Sequence, residues 1–432
     1  MNIYNSFLEV EEGQRAAGLA VKSEDSCRYH DHGLFQYPAM MVPRLQGELI
    51  DVLLKKSNND KKTIFDPFMG SGTVLSEAVF RGVDFYGSDI NPLSLLCCRV
   101  KSDNFNYDVA SSQLSIIKKK LVSDSECCSL IEFEGSDKWF DLSTLRTLSK
   151  IANDISSINV RWCRRIFWLA LAESVRKFSK TRISTYKLHI DKNYKIHTRD
   201  SIVNFFLRTC ARNLSLKDGS WKEMVSNGAV IKGHLKSKVH LELSDIRCLD
   251  GDFKADMVVT SPPYGDNQTT VTYGQFSYLP LQFIDLDDID HSFDRSLIRS
   301  ISAIDSASLG GSMMYWKDKM QAVEPLSDTL RSTLFQLDKI GRGGEKRLAS
   351  FSYDLWHSLI SVSQRLKDGG YIMITLGNRT INGVSVPLDV VVEEILSSLG
   401  FLLVNRLRRD IKKKRMAGSM SSEKILVMKK TS

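Results

Sequence analysis

The chain has 432 residues, 42% of them hydrophobic and 25% charged, which excludes a largely disordered or collagen-like protein. Its length predicts two domains, or one large domain carrying an insertion, and a formal charge of +8 permits an anionic partner without requiring one. The longest apolar runs, such as Ile166–Ala172, fall far short of the ~20 residues of a membrane span. The acidic N-terminus lacks an apolar signal core, so the chain is expected to be soluble and cytoplasmic, with no membrane partner.

Residues 1–35 read as a leader with little periodicity. The prolines of Tyr37-Pro38-Ala39-Met40-Met41-Val42-Pro43 predict an extended segment or turn, and Leu45, Leu49, Val52 and Leu53 have helix-compatible spacing. After a polar turn at 56–62 come a short buried strand, Thr63-Ile64-Phe65, a glycine-rich loop over 66–72, and a helix over 73–80 closed by Gly82. Val83–Gly87 is a second strand, ending at Ser88-Asp89. Strand, loop, helix and strand in this order open a doubly wound α/β sheet.

Residues 102–235 are rich in Ser, Lys and Arg, with helical patterns and no strand–turn–helix rhythm. Alternating α/β character returns at 238–243, 257–259, 371–376, 402–406 and 424–428. The predicted organisation is a discontinuous α/β domain, 1–101 and 236–432, interrupted by a mainly helical insertion over 102–235. A second stretch, 265–345, reads as irregular. None of the eight cysteines has Cys-x-x-Cys spacing, so buried reduced thiols are expected and no metal site.

Two constellations carry chemistry. In Phe65-Asp66-Pro67-Phe68-Met69-Gly70-Ser71-Gly72-Thr73, glycines let another group approach the backbone, and the helix behind the loop offers unpaired N–H groups to an anion. Asp89, at the end of the next strand, is placed to accept both hydrogen bonds of a ribose diol. The third glycine of a dinucleotide fingerprint is absent, as is the Gly-Lys-Ser/Thr of a P-loop. The loop therefore suits a nucleoside without a pyrophosphate, such as S-adenosylmethionine. The second constellation follows Met257-Val258-Val259: in Thr260-Ser261-Pro262-Pro263-Tyr264-Gly265, paired prolines cannot extend a central strand. They form a rigid arm at the strand's carboxyl end, where open α/β sheets bind ligands.

These two motifs resemble those of the DNA amino-methyltransferases. Asp66–Thr73 looks like their cofactor motif, and Thr260-Ser261-Pro262-Pro263-Tyr264 like the catalytic motif of the cytosine-N4 branch; the adenine-N6 branch usually has Asp or Asn in place of Ser261. The likeness extends to Tyr37-Pro38-Ala39, Gly87–Pro92, Leu366–Gly370 and Glu423–Val427, and misses most of 102–235. A departure concerns order: motifs beginning Asp-Pro-Phe often follow the catalytic motif, whereas here the cofactor motif comes first.

The resemblance implies a Rossmann-like methyltransferase sheet and S-adenosylmethionine as cofactor. Its substrate would be double-stranded DNA, in a restriction–modification system with a cognate endonuclease encoded nearby. It also implies residue roles. Gly70, Ser71 and Gly72 would wrap the methionine end, Asp66 would meet its ammonium, Asp89 would hold the ribose and Asp245 the adenine amino group, with Phe68 also among the cofactor-binding residues. Ser261, Pro262, Pro263 and Tyr264 would form the catalytic arm around a flipped-out cytosine. Adenine-N6 methylation on the same fold is the alternative, and a guanine-N2 RNA methyltransferase a more distant one. No cysteine stands in a Pro-Cys context, which argues against ring-carbon methylation.

Three basic clusters are candidates for phosphate contact. Arg161–Arg165 contributes Arg164 and Arg165. Arg176–Arg182, continued through Tyr186–His189, contributes Lys187. Arg406–Arg415, with seven basic residues among ten, contributes Arg408 and Lys413. The insertion 102–235 is the candidate target-recognition region, and the polar loop 265–275 after the catalytic arm is placed to line the pocket or reach bases.

Overall fold

A computed structural model describes residues 6–7, 9–10, 29–56, 62–123, 129–411 and 422–431. Its central sheet has seven strands: β1 (Thr63–Asp66), β2 (Asp84–Asp89), β3 (Val239–Leu243), β4 (Ala255–Thr260), β5 (Leu366–Gly377), β6 (Phe401–Asp410) and β7 (Ser422–Lys430). Their spatial order is β6-β7-β5-β4-β1-β2-β3. Strands β1 to β5 are mutually parallel; β7 runs antiparallel to both β5 and β6. From β1 the chain winds outward through β2 and β3, then returns to place β4 on β1's other side. The β1/β4 boundary is thus a topological switch point, where doubly wound sheets open a ligand crevice at their carboxyl ends.

Both faces of the sheet are covered, so its inner strands are apolar throughout. Side chains alternate between the two cores with the strand period of two. Ile64, Met257, Val259, Met373, Ile425 and Val427 enter one core; Phe65, Val258, Ile372, Ile374, Leu426 and Met428 enter the other. The first core is closed by helices α1 (Pro43–Lys56), α2 (Thr73–Phe80), α3 (Pro92–Ser102), α4 (Tyr107–Val122), α5 (Leu142–Ser156), α6 (Arg161–Phe178), α7 (Arg199–Ser226) and α8 (Tyr273–Leu281). The second is closed by α9 (Trp316–Val323), α10 (Asp328–Ile340), α11 (Gly344–Arg365) and α12 (Leu388–Ser398).

The insertion is mainly helical, and α4 to α7 form a layer on the sheet. Leu148, Phe167 and Phe206 share one core with Met257 and Met373. The stretch 265–345, expected to be irregular, instead holds α8, α9 and α10 and opens α11. Helix α8 hides its pattern because it is buried nearly all round and carries Pro280 inside. Among the described cysteines, Cys97, Cys98, Cys163 and Cys210 are buried free thiols, while Cys248 is exposed. No described helix is long and apolar enough to cross a membrane.

Candidate active site

A cleft opens over the carboxyl ends of β1, β2 and β4. Phe68, Gly70, Ser71, Asp89, Asp245, Ser261 and Pro263 are among its wall residues, so the two constellations, far apart in sequence, meet in one place. It is open toward solvent, and a few polar groups converge in it, as they do in small-molecule sites.

Asp66 ends β1 beneath the loop and is fully buried. Its Oδ1 accepts from the Phe68 amide (3.1 Å) and the Thr260 hydroxyl (2.7 Å); its Oδ2 has no partner among the described residues. Burial pushes this carboxyl up to about 7, because desolvation penalises the charged form more than the two hydrogen bonds favour it. Gly70 adopts a left-handed φ of 49°, and a Cβ there would meet nothing nearer than 3.8 Å, leaving room over the loop. Gly72 differs: its φ is 74°, and a Cβ would fall 2.9 Å from the Cys98 sulfur. Gly72 is thus required by the packing of α2 on α3 and is not one of the wall residues. The amides of Ser71 and Thr73 carry no hydrogen bond among the described residues, as the first N–H groups of a helix do not.

Asp89 ties the loop to β2. Its Oδ2 accepts from the Gly70 amide (2.9 Å) and its Oδ1 from the Asn91 amide (2.8 Å). Burial raises its carboxyl, against the backbone hydrogen bonds that lower it. Asp245 lines the cleft but is less free than the sequence implied. Its carboxylate caps the turn Ile246–Cys248 through the Arg247 amide (2.9 Å) and is paired with the Arg247 guanidinium (2.5 Å).

On the arm after β4, the Ser261 hydroxyl lies 3.2 Å from the Thr375 carbonyl and 3.4 Å from the Tyr264 hydroxyl. The Thr375 carbonyl can only accept, so it takes the Ser261 proton and leaves the serine's lone pairs free. Tyr264 donates to Glu423 (2.9 Å), which Arg409 holds from its other oxygen (2.9 Å). Pro262 is buried, and Tyr264 packs against the second core, so neither is a wall residue. Asn267 is on the wall, 3% exposed, with an Oδ1 that has no partner among the described residues.

Sequence reasoning assigned no role to several wall residues, although the family likeness ran through Tyr37 and Asn91. Tyr37 stacks on Tyr273 at 5.8 Å, and Asn91 donates to both the Tyr37 hydroxyl (2.9 Å) and Ser277 (2.8 Å) while capping α3. The Asn91-Pro92 pair carried a readable cap signal; nothing local marked Tyr273, which a long excursion returns to the cleft.

The basic clusters need correction. Arg164 is locked onto buried Asp288 (2.7 and 2.5 Å), and Arg165 is bound to Asp103 (2.8 Å) and to the Asp288 carbonyl (2.6 Å). Both guanidiniums hold the helical layer together, so their expected phosphate contact is withdrawn. Arg408 pairs with Asp410 (2.8 Å) on an exposed strand, where such pairs are weak. Lys413 lies outside the described residues. Lys187 stays near the cleft: the adjacent Leu188 amide donates to Gln275 (3.0 Å), and Tyr186 packs edge-on against Phe276. Among the described residues no group of three or more His, Cys, Asp or Glu side chains is placed to hold a metal ion.

The doubly wound sheet thus gathers a glycine loop, a second-strand acid and a proline arm around one cleft. The type II methyltransferase M.MvaI of Kocuria varians is 30% identical to this chain over an alignment of 430 residues, covering 93% of this chain and 90% of its own length. The chain therefore belongs to the type II methyltransferases, a family of DNA methyltransferases. The type II methyltransferase M.MjaII of Methanocaldococcus jannaschii is 30% identical over 170 residues, 37% of this chain and 31% of its own. No family model matches. Among solved structures, the rRNA methyltransferase AviRa of Streptomyces viridochromogenes covers 95% of this chain at 12% identity, with a TM-score of 0.31, too low to carry an argument.

Proposed function

We propose that this protein methylates the exocyclic N4 amino group of a flipped-out cytosine in double-stranded DNA, using S-adenosylmethionine, as the modification half of a restriction–modification system with a cognate endonuclease. The observation that carries the reading is Ser261: a serine hydroxyl on the cleft wall, its proton directed to Thr375 and its lone pairs free, facing the glycine loop.

The cleft fits the cofactor. The unpartnered Oδ2 of Asp66 matches an ammonium, the free amides of Ser71 and Thr73 match a carboxylate, and Asp89 matches a ribose diol. Phe68 and Gly70 form the surface between them. Asp245, whose two oxygens both accept from Arg247, would have to turn from that guanidinium to accept the adenine amino group. When bound, S-adenosylmethionine supplies an electrophilic methyl group. The chain's own task is to prepare the nucleophile. A cytosine amino nitrogen is poor because its lone pair is delocalised into the ring. Ser261 Oγ and the Pro262 carbonyl, accepting its two N–H bonds, draw it toward tetrahedral geometry and turn the lone pair out of the ring plane. The gain is one of positioning and preorganised dipoles. Pro263 keeps the arm rigid. We assign Lys187 and the 181–190 segment of the insertion a share of target contact, since that segment is tied to the first turn of α8, beside the cleft.

Sequencing that separates N4-methylcytosine from N6-methyladenine, on DNA from a host expressing the protein, tests the reading. N6-methyladenine alone would replace it with the adenine alternative.

Base flipping costs a few kcal/mol, and stacking on an aromatic returns ~1–3 kcal/mol per base. Tyr264 packs against the second core in the free protein, so stacking requires its ring to turn toward the flipped base; with that turn, Tyr264→Ala should slow single-turnover transfer roughly ten- to hundredfold. Tyr264→Phe should keep most of the rate, because Glu423 retains Arg409 as its partner. A Phe variant as slow as the Ala variant would move the role from the ring to the hydroxyl.

Asp66 makes cofactor binding pH-dependent. Its carboxyl, at about 7 in the free protein, is half-protonated there, and an ammonium beside it favours the carboxylate. S-adenosylhomocysteine should therefore release about half a proton on binding at pH 7, and its affinity should rise between pH 6 and 8. Sign and window follow from the same shift. A raised carboxyl stabilises the free fold fully below its ordinary value of 3.8. That contribution is lost as pH rises through about 7. Calorimetry in buffers of different ionisation enthalpy measures the proton, and Asp66→Asn should abolish its release.

A further inference from the structure

The turn 310–316 leaves the cleft wall at Leu309 and leads into α9. Its tip points away from the protein: Met313 is 44%, Met314 59% and Tyr315 72% exposed. Tyr315 also holds a left-handed φ of 54°, a conformation bulky residues seldom adopt. Isolated exposed apolar side chains are ordinary, but three in succession at the rim of a catalytic cleft mark a contact surface.

The base of this turn is fixed. The Gly310 amide donates to Asp354 (2.8 Å), and Arg247 reaches both Asp354 (2.9 Å) and the Ala307 carbonyl (2.9 Å). A Cβ on Gly310 would fall 2.9 Å from Phe351 and 3.3 Å from Asp266, so the turn springs from beside the catalytic arm. Lys319 donates to the Ser312 carbonyl (2.9 Å). Cations flank the Trp316 ring, next to the tip. Lys346 sits 5.3 Å and Lys317 5.8 Å from the Trp316 ring; Arg347 follows Lys346 on α11, and none of the three is paired with a carboxylate among the described residues. Across the loop 265–270, Arg379 donates to Thr269 (3.0 Å) and lies near enough to Arg347 to feel its charge.

We propose that Met313–Trp316 is a wedge that enters the duplex at the target cytosine. The Tyr315 ring fills the stacking gap left by the flipped base, and Lys317, Lys346 and Arg347 hold the flanking phosphates. The occupant is argued from charge and shape. A duplex with one base extruded presents an apolar gap framed by anions, the complement of an apolar tip framed by unpaired cations. A second copy of this chain would bring those cations against their own kind. The tip is also continuous with the cleft that receives the base. The inference rests on the cytosine methylation proposed above.

The test uses the target duplex identified by sequencing and a copy in which the same cytosine faces an abasic site, so that extrusion is easier. Single-turnover transfer is measured for wild type, Met314→Ser and Tyr315→Gly, the last relieving the left-handed backbone. S-adenosylhomocysteine affinity confirms that each variant is folded. The expected result is a roughly tenfold or greater loss for Tyr315→Gly on the paired duplex, and a rate within about twofold of wild type on the abasic one. Equal loss on both duplexes, or no loss on the paired one, overturns the wedge. So does a wild-type dimer in sedimentation that Tyr315→Asp dissociates, which would make the tip a self-interface. A wild-type protein that methylates neither duplex instead overturns the cytosine reading, and the wedge falls with it.

Discussion

Ser261→Ala is expected to transfer methyl groups ~10²–10³-fold more slowly than wild type, with its affinity for S-adenosylhomocysteine unchanged. Two features separate these effects. The serine hydroxyl gives its proton to the Thr375 carbonyl (3.2 Å), so what it offers the cleft is an acceptor, and an acceptor on the amino group matters most when that nitrogen becomes tetrahedral. The groups that fit the cofactor, Asp66, Asp89 and the loop amides, hang from β1 and β2, whereas Ser261 hangs from β4. The substitution also leaves the Tyr264–Glu423–Arg409 chain in place. Single-turnover transfer from labelled S-adenosylmethionine to duplex DNA, with calorimetry in parallel, reads both quantities. A wild-type rate in Ser261→Ala would make the proline arm scaffolding. The acceptor would then be sought first at Asn267, whose buried Oδ1 has no partner among the described residues, and at Asp266, which Arg379 and Thr269 already occupy.

The fold was legible because its strands are short, apolar and closed by glycine or proline punctuation. Ile64-Phe65 and Met257-Val258-Val259 could be read as buried strands before their neighbours were known, since covering on both faces removes the alternation that would make them ambiguous. What local pattern did not carry was α8. Its nearly complete burial erases a polar face, and Pro280 reads as a break. The site was legible where one residue type has few alternative uses, as with paired prolines after a strand or an acid at a strand's end. The stacking of Tyr37 on Tyr273 was not legible, because it depends on two distant segments meeting.

Charge was the least readable feature. Arg164 and Arg165 sit in a run that looks like a phosphate-binding surface, but Asp103 and Asp288 reach them from 62 and 124 residues away, and sequence gives no sign of a partner at that distance. By contrast Lys317 and the adjacent Lys346-Arg347 pair are distant in the sequence, and the fold brings Lys317 and Lys346 to one ring, Trp316. The insertion, expected as a recognition domain, shares its core with the sheet. Exchange of residues 102–235 between relatives would therefore break packing as well as change contacts. The turn 310–316 is a smaller unit and a cleaner place to alter DNA contact.

Asp89→Ala should weaken S-adenosylhomocysteine binding by two orders of magnitude or more, and it should also lower the melting temperature. The first effect follows from the ribose: two hydrogen bonds to a charged acceptor are worth roughly 1.5–3 kcal/mol each, and about 1.4 kcal/mol is a factor of ten. The second was not visible in the sequence, where Asp89 had only a ligand to hold. Its Oδ2 and Oδ1 also accept from the Gly70 and Asn91 amides at 2.9 and 2.8 Å, and a buried amide stripped of its acceptor costs about 1–3 kcal/mol. Asp89→Asn separates the roles. A carboxamide has one accepting oxygen, so one backbone amide keeps its partner and melting should fall less than in the alanine variant. The ribose meanwhile loses both the charge and one acceptor, so affinity should still drop at least tenfold. Thermal melts and calorimetric titration of both variants decide the matter. Full affinity in both would take Asp89 out of the cofactor site and leave it as the strap that fixes the glycine loop to β2.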